Sequence, residues 1–326
     1  MLGQGSRNRV FLMKKWPSLE HKSVSARISK NGEAIGEDVS MLIKINRSLP
    51  YHRGILPVLG VALGSVDGLT STVVITPKIK WNLWTTMADS SLAKQSLSKR
   101  LQMGEQIADG CEFLLKHGFP ISDLRVTNIL VSPKEPNRKN WTLIINMLKP
   151  RDDSVLYPDD KLPFHIAPER YGFPKRSRRR SSVTDHKDIQ LNGRHLQRSA
   201  STDSQLSERR ARRSFVDADC GDDPANVYAF GILLWLLVRG TFVRPSYAEN
   251  TDIDAMKTAV CIEQKRPELD WLEAKSDNLN HKGLADLLKM CWSENSSERP
   301  SWTEVSYRLA TVRNSISRRS TRVTSV

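Results

Sequence analysis

Long apolar runs and clustered cysteines are both missing from this chain of 326 residues. No apolar run reaches the ~18 residues that a membrane-spanning helix needs, so no transmembrane segment is predicted and a soluble, cytoplasmic protein is expected. The four cysteines lie far apart and show no C-x-x-C spacing. Their separation argues against a zinc site and a disulfide framework, and it favours reduced structural thiols.

Acidic residues are too few to balance the basic ones, and the chain carries a net charge of +14. Residues 174–222 contain 12 Lys/Arg and 7 Asp/Glu, and residues 313–326 contain four Arg and no acid, so these two segments hold 9 of the 14 net charges. Aromatic side chains, which nucleic-acid-binding surfaces interleave with basic ones, are nearly absent from both segments. Nucleic-acid binding is therefore not expected.

Large apolar residues are scarce in residues 174–222, which are rich in Arg, Ser, Asp and Gln. Such a segment buries too little surface to offset its ordering entropy, so a disordered, basic, Ser-rich insertion is predicted there. Five serines closely follow cationic residues, the pattern that an upstream basophilic kinase recognises: Ser181, Ser182, Ser199, Ser201 and Ser214. Regulated phosphorylation and a plain solvated linker are both consistent with this composition.

A short stretch after residue 120 contains the first residues that suggest catalysis. Asp123 and Asn128 lie five residues apart and precede an apolar run. This layout resembles the catalytic loop of protein kinases, in which the Asp accepts the proton of the substrate hydroxyl and the Asn holds a metal ion. Two features depart from that loop, because Ile121-Ser122 stands where the family has His-Arg and Arg125 stands where it has Lys.

The first residues of the chain resemble the glycine-rich loop of the same family, which covers the phosphates of the nucleotide. Gly3, Gly5 and Val10 match that loop, and Asn8 takes the place of its third glycine. Asn tolerates the left-handed backbone region better than most residues, so the turn is still expected to form.

A strand predicted over residues 23–28 matches the one that carries the phosphate-binding Lys. The resemblance assigns Ala26 and Arg27 to the nucleotide site, with Arg27 at the Lys position. Arg keeps the charge but not the geometry of an ammonium, and a solvent-facing strand Arg is the alternative. The Glu that should pair with this cation is replaced by Leu42, and Glu37 is the nearest acid upstream.

The same resemblance implies a hinge and a second metal position. Thr76, Pro77 and Ile79 match the gatekeeper and hinge beside the adenine pocket, where Pro77 keeps a carbonyl acceptor and Ile79 an N–H donor. Asn146 stands where the family has the metal-binding Asp of Asp-Phe-Gly. Asn128 and Asn146 are thus the implied metal residues, although a neutral amide does not offset the charge of Mg²⁺ or Mn²⁺. The alternative for Asn146 is simply the end of a buried strand.

Two further motifs complete the resemblance. An Ala-Pro-Glu triplet ending at Glu169 matches the end of the activation segment, and Arg299 fits the buried partner of that Glu. A near-continuous apolar helix beginning around Asn226 matches the helix whose Asp anchors the catalytic loop, with an amide in place of the carboxylate. The motifs occur in the family's order, so the chain resembles the tyrosine-kinase-like group of protein kinases over about residues 2–312.

The resemblance implies an α+β, bilobal protein-kinase fold, with a small β-rich N-lobe and a larger helical C-lobe. The predicted parts are an N-lobe truncated at its start (1–76), a hinge (77–79), a C-lobe (80–173 and 223–312), the insertion (174–222) and a basic C-terminal tail (313–326). Apolar periodicity also predicts strands over 54–61, 72–76 and 141–145, and helices over 101–116 and 223–237.

Three functions remain open on the sequence. The altered Lys, Glu and Asp-Phe-Gly positions favour a pseudokinase that binds ATP weakly and acts through other signalling proteins. Because Asp123 is retained, an active serine/threonine or dual-specificity kinase using ATP with Mg²⁺ or Mn²⁺ is the alternative. The third is a scaffold recruited by a PDZ-domain protein, since Thr324 and Val326 match the C-terminal ligand of such domains.

Overall fold

The structure is a computed structural model, and it describes part of the chain. The described residues are 3–4, 8–13, 24–29, 44, 47–66, 69–119, 121, 124–133, 141–146, 164–171, 224–249, 252–274 and 279–323. They belong to one compact unit formed by Met1–Phe173 and Asp222–Val326. The predicted insertion with its five serines, and the predicted PDZ ligand at Thr324 and Val326, lie outside the described residues.

An antiparallel sheet of five strands forms the N-terminal part of the unit. Its strands are β1 (Gly3–Gln4), β2 (Asn8–Met13), β3 (Val24–Ser29), β4 (Gly60–Val66) and β5 (Leu69–Pro77), arranged in the order β1-β2-β3-β5-β4. The β-branched residues of β3 and β5 suit a pleated, half-buried surface. The predicted strand over 72–76 is confirmed and extends further at both ends.

The strand predicted over 54–61 is wrong for residues 54–59, because β4 begins only at Gly60. Pro57 has no N–H to donate and interrupts a regular ladder at this point. The residues before it pair elsewhere: Ile55 forms a parallel bridge with Ile145, and the Ile145 N–H donates to the Gly54 carbonyl at 2.7 Å.

The larger, C-terminal part consists mainly of helices. These are α1 (Leu83–Ala88), α2 (Leu97–Lys116), α3 (Pro224–Arg239), α4 (Ile253–Cys261), α5 (Asp270–Glu273), α6 (Leu279–Cys291) and α7 (Trp302–Val323). A small sheet of β6 (Trp81–Asn82), β7 (Ile129–Pro133) and β8 (Trp141–Ile145) lies against α2. Helix α3 is the centre of the core, since every residue from Ala225 to Val238 is buried.

The predicted boundary between C-lobe and tail falls inside α7, which runs without a break to Val323. Apolar residues continue at helical spacing past that boundary, and Val312 and Ile316 both pack on the core. Arg313, the first residue of the predicted tail, forms an ion pair with Glu105 of α2 at 2.7 Å. The basic segment therefore begins as part of the folded unit.

The two parts together give the α+β, bilobal class that the sequence predicts: a β-sheet N-lobe followed by a helical C-lobe. In the part of the chain that the structure describes, none of the helices combines the length and apolar character needed to cross a bilayer.

Candidate active site

One face of the N-lobe sheet brings three of the predicted nucleotide residues together. Arg27 of β3 lies between Val10 of β2 and Val74 of β5, and Ser25 lies opposite Thr76. Residues directly opposite one another on neighbouring strands share a face. Val10, Arg27 and Thr76 are therefore on one side of the sheet, and the buried Val74 connects that side to the main core. We call this side the Arg27 face.

Ala26 was assigned to the same site, and the structure corrects that assignment. Ala26 lies opposite Ile75 and forms a separate small cluster with Val24 and Ile75 on the other side of the sheet. The reason is the two-residue period of a strand, which turns neighbouring residues to opposite faces. Ser25, two residues before Arg27, occupies the Arg27 face instead.

The side chain of Arg27 is partly buried between its neighbouring strands. Burial disfavours the charged guanidinium and lowers the pKa of Arg27 to about 10. The side chain is thus still protonated at neutral pH, and the Arg27 face carries a positive charge that is only partly solvated.

The predicted hinge connects this face to the C-lobe. Thr76 is buried, and its hydroxyl donates to the Pro77 carbonyl at 3.4 Å. Pro77 and Ile79 are half-buried, and the ammonium of Lys80 lies 5.0 Å from the ring centre of Trp81. The chain then enters β6, which pairs with β7 and so leads from the hinge to the segment beside the predicted catalytic loop.

The two predicted metal residues meet at the junction of β7 and β8. Ile129 lies opposite Ile145 in this antiparallel pair, and the Asn146 N–H donates to the Asn128 carbonyl at 2.9 Å. Both residues are buried, with 1% of Asn128 and 5% of Asn146 exposed. We call these two residues the asparagine pair.

The asparagine pair does not fit a magnesium ion well. Mg²⁺ in nucleotide sites is held by one or two carboxylates together with the phosphates, because the ligands must offset its charge. Asn128 and Asn146 offer amide oxygens without charge. Asn146 therefore lacks the charge that the Asp of the resemblance would contribute to metal binding, and the metal role of both residues remains a prediction.

Asn226 connects α3 to the predicted catalytic loop. Its side chain is buried, and its amide nitrogen donates to the Ile121 carbonyl at 3.2 Å. A carboxylate at this position would accept hydrogen bonds rather than donate them. The change from Asp to Asn therefore keeps a side-chain contact with the loop but reverses the direction of the bond. The position of Asn226 was predictable from the sequence, whereas the reversed direction of its hydrogen bond was not.

Glu169 and Arg299 form the predicted structural pair. The two carboxylate oxygens accept from Nη1 and Nη2 of Arg299 at 2.6 and 3.0 Å. Arg299 also donates to the Pro224 and Ser293 carbonyls, and none of its side chain is exposed. Burial alone would raise the pKa of Glu169, but the hydrogen bonds and charge of Arg299 outweigh it and lower the pKa.

The remaining predicted site residues divide into two groups. Gly3 lies opposite Val10 in the first hairpin, and Arg125 is half-buried at the start of the turn that ends at Asn128. The others, namely Gly5, Asp123, Leu42 and the nearest upstream acid Glu37, lie outside the described residues. The roles of both groups remain predictions.

Comparison with known proteins finds similarity to protein kinases. No protein-family model matches it. Over 94% of its length the chain is 21% identical to the dual serine/threonine and tyrosine protein kinase of Strongylocentrotus purpuratus, of which it covers 26%. Shorter matches are 35% identical over 88 residues to the dual specificity protein kinase shkD of Dictyostelium discoideum and 36% identical over 81 residues to the receptor-interacting serine/threonine-protein kinase 3 of Homo sapiens.

The two shorter matches involve 27% and 24% of this chain, and 10% and 15% of those relatives. The chain thus spans about a quarter or less of the length of the curated relatives it matches.

Proposed function

We propose that this chain, which is similar to tyrosine-kinase-like members of the protein kinase superfamily, is a pseudokinase. In this proposal it binds ATP weakly without a divalent metal ion and acts on other signalling proteins through binding. The observation that supports the proposal is Asn146, a neutral side chain where the resemblance implies a metal-binding Asp, which is buried beside Asn128 at the end of β8.

The expected loss in the rate of phosphoryl transfer distinguishes a weak enzyme from a binding protein. Phosphoryl transfer depends almost wholly on positioning and on stabilising negative charge in the transition state. Removing a single transition-state contact costs a factor on the order of 10² to 10³ in rate. Here a metal-binding carboxylate is absent, and the Lys and Glu positions are also changed in the sequence. Several such losses together leave negligible turnover.

Nucleotide binding requires fewer precisely placed groups than catalysis does. The residues of the Arg27 face and the hinge support such binding. Arg27 supplies a cation for the phosphates, and the Pro77 carbonyl and Ile79 N–H are the hinge groups for the adenine. The asparagine pair offers amide N–H groups that donate to phosphate oxygens as well as accepting. These contacts use no metal ion, so ATP is expected to bind equally well in its absence.

A thermal-shift titration with ATP tests this proposal. We expect ATP to raise the Tm of the wild-type protein by the same amount with EDTA, Mg²⁺ or Mn²⁺. Asn146→Asp restores a carboxylate and should make the shift larger with Mg²⁺ than with EDTA, because the added charge repels the phosphates unless a cation lies between them. Arg27→Ala should remove the shift. A wild-type shift that requires a metal ion, or no shift at all, contradicts the proposal.

The alternative is an unconventional active kinase, and the charged Arg27 beside Val10 and Thr76 favours it. Asp123 would then accept the proton of a substrate hydroxyl. A radiolabelled-phosphate transfer assay compares the wild-type chain with Asp123→Ala. Transfer that disappears in this variant would overturn the pseudokinase proposal, whereas background-level transfer in both proteins supports it.

A further inference from the structure

The edge strand β8 is covered by a side chain, whereas the edge strand β4 is not covered by any described residue. At β8 the outer edge is covered by Gln106 of α2, whose side chain bonds to the backbone like a neighbouring strand. Its amide nitrogen donates to the Trp141 carbonyl at 3.3 Å, and its oxygen accepts from the Leu143 N–H at 2.9 Å. An open sheet edge has unpaired N–H and C=O groups to which another strand can bind. Gln106 occupies two of these groups at β8, so they cannot pair with another strand.

Strand β4 is one of the two edge strands of the five-stranded sheet, and nothing among the described residues covers its outer side. It has seven residues, all of them paired on one side with β5. In an antiparallel strand every second residue directs its N–H and C=O away from the existing partner. Over its seven residues, strand β4 thus has no backbone partner on its outer side among the described residues.

The side chains of β4 lack the features that normally protect an edge strand. Its sequence, GVALGSV, contains no charged residue and no proline. Leu63, at the centre of the strand, has 63% of its surface exposed, although Val61 on the same face packs on the core. Charged residues and prolines are the usual means by which edge strands resist association.

We propose that β4 is the surface through which two copies of this chain associate, by antiparallel pairing centred on Leu63. In this arrangement a two-fold axis passes beside Leu63, so the same strand of each copy forms both halves of the interface. Leu63 lies opposite Leu63 of the other copy, and Val61 lies opposite Ser65. No charge is brought against a like charge along the strand. A second copy supplies both the missing hydrogen bonds and an apolar partner for the exposed Leu63, so the two five-stranded sheets become one.

Disulfide trapping tests the proposed register. Across an antiparallel pair, directly opposite Cβ atoms lie about 4.5–5.5 Å apart, whereas diagonal neighbours are about 7 Å apart. In a Cys220→Ser, Cys261→Ser background, Leu63→Cys should form a covalent dimer under mild oxidation at least tenfold faster than Ala62→Cys. Ile262→Cys, at an exposed site in the C-lobe, measures random collision. Equal rates for the variants at 63 and 262, or faster trapping at 62, overturn the proposal.

Sedimentation equilibrium provides a second test that needs no new cysteine. A single strand pair is a small interface, so association is expected at about 10–100 μM and not at lower concentrations. Leu63→Arg places two like charges opposite each other and should raise the dimer Kd at least tenfold, while Tyr307→Arg, which changes another exposed apolar site, should leave it unchanged. A wild-type protein that is monomeric at 100 μM, or equal effects of both substitutions, contradicts the proposed pairing.

Discussion

At the scale of single residues, Asn226 shows how replacing an oxygen by an NH₂ group changes what a buried side chain does. Its amide nitrogen donates to the Ile121 carbonyl from the start of α3, and only 1% of the residue is exposed. The carbonyl of Ile121 therefore points towards α3. An ionised carboxyl group at this position has no proton to donate and would be brought against that carbonyl oxygen.

Asn226→Asp is accordingly expected to destabilise the protein by about 2–3 kcal/mol at neutral pH, the cost of an unsatisfied buried polar group. The pKa of the introduced carboxyl is raised, because its protonated form can donate to Ile121. A group whose folded pKa is raised gives stability that is present below its unfolded pKa and lost as pH rises, so the deficit should shrink near pH 4.

Urea unfolding at pH 7 and pH 4 measures this effect, and Asn314→Asp makes the same change at an exposed site as a control. If Asn226→Asp is as stable as the wild type at pH 7, the Ile121 peptide must reorient to offer an N–H instead.

At the scale of secondary-structure elements, the packing of α3 on α6 depends on a glycine. A Cβ atom built on Gly231 would lie 2.7 Å from the Cβ of Cys291, closer than two carbon atoms approach without movement. Both sites are fully buried, so the helices have no space to absorb a methyl group. The glycine sets how closely the two helices approach.

Gly231→Ala should therefore destabilise the protein by about 1–3 kcal/mol, because the clash outweighs the better helix propensity of Ala. Gly283→Ala in α6 is the matched control, since its Cβ would lie at an ordinary contact distance of 3.6 Å from Val312. That control should be neutral or up to about 1 kcal/mol more stable. Thermal unfolding of the two variants decides the matter, and equal melting temperatures would show that α6 moves freely relative to α3.

At the scale of the whole molecule, one ion pair connects three distant parts of the chain. Arg299 binds Glu169 from the segment 164–171, the Pro224 carbonyl at the start of α3 and the Ser293 carbonyl after α6. Glu169 and Arg299 are 130 residues apart in sequence. The pair thus closes the C-lobe around residues that belong to different motifs.

Glu169→Gln should lower the free energy of unfolding by about 2 kcal/mol at pH 7, because it leaves a buried guanidinium without its counter-ion. A larger cost is not expected, since 28% of the Glu169 side chain is exposed to solvent. The pKa of Glu169 is lowered in the folded state, so its stabilisation is present above the unfolded pKa and is lost as pH falls through the folded value.

The difference between wild type and Glu169→Gln should consequently disappear below about pH 3–4. Denaturant unfolding across this range provides the measurement, and Glu249→Gln, at an exposed site, is the control. A difference that persists unchanged at low pH would mean that packing, rather than charge, explains the effect.

The bounds of a helix or strand could be predicted where the sequence contains a polar run or a capping residue at its end. Strand β8 is found at its predicted residues, Trp141–Ile145, because a polar run precedes it and an Asn follows. The predicted helix over 101–116 ends where predicted but begins earlier, at Leu97, where the Ser96 hydroxyl caps it. That cap was visible in the sequence, whereas the pairing of Gly54–Leu56 with β8 depends on the tertiary fold.

The candidate site could be predicted only in part. The resemblance identified Asn128 and Asn146, although their proximity depends on how β7 and β8 pair. The error at Ala26 was avoidable, because a residue adjacent to Arg27 cannot share its face in a strand. Nothing in the sequence predicted the role of Gln106, because that role depends on the position of α2 beside the edge of β8.

The backbone contact between Ile55 and Ile145 has a mechanical consequence for the two lobes. Among the described residues, the backbone joins the N-lobe to the C-lobe in two places: covalently through residues 77–80, and by the hydrogen bonds of Gly54 and Leu56 with Ile145. A rigid movement that preserves both attachments is confined to rotation about the line that joins them. One end of this axis lies beside Asn146 and the other at Thr76, so rotation of the lobes displaces these ends of the candidate site least.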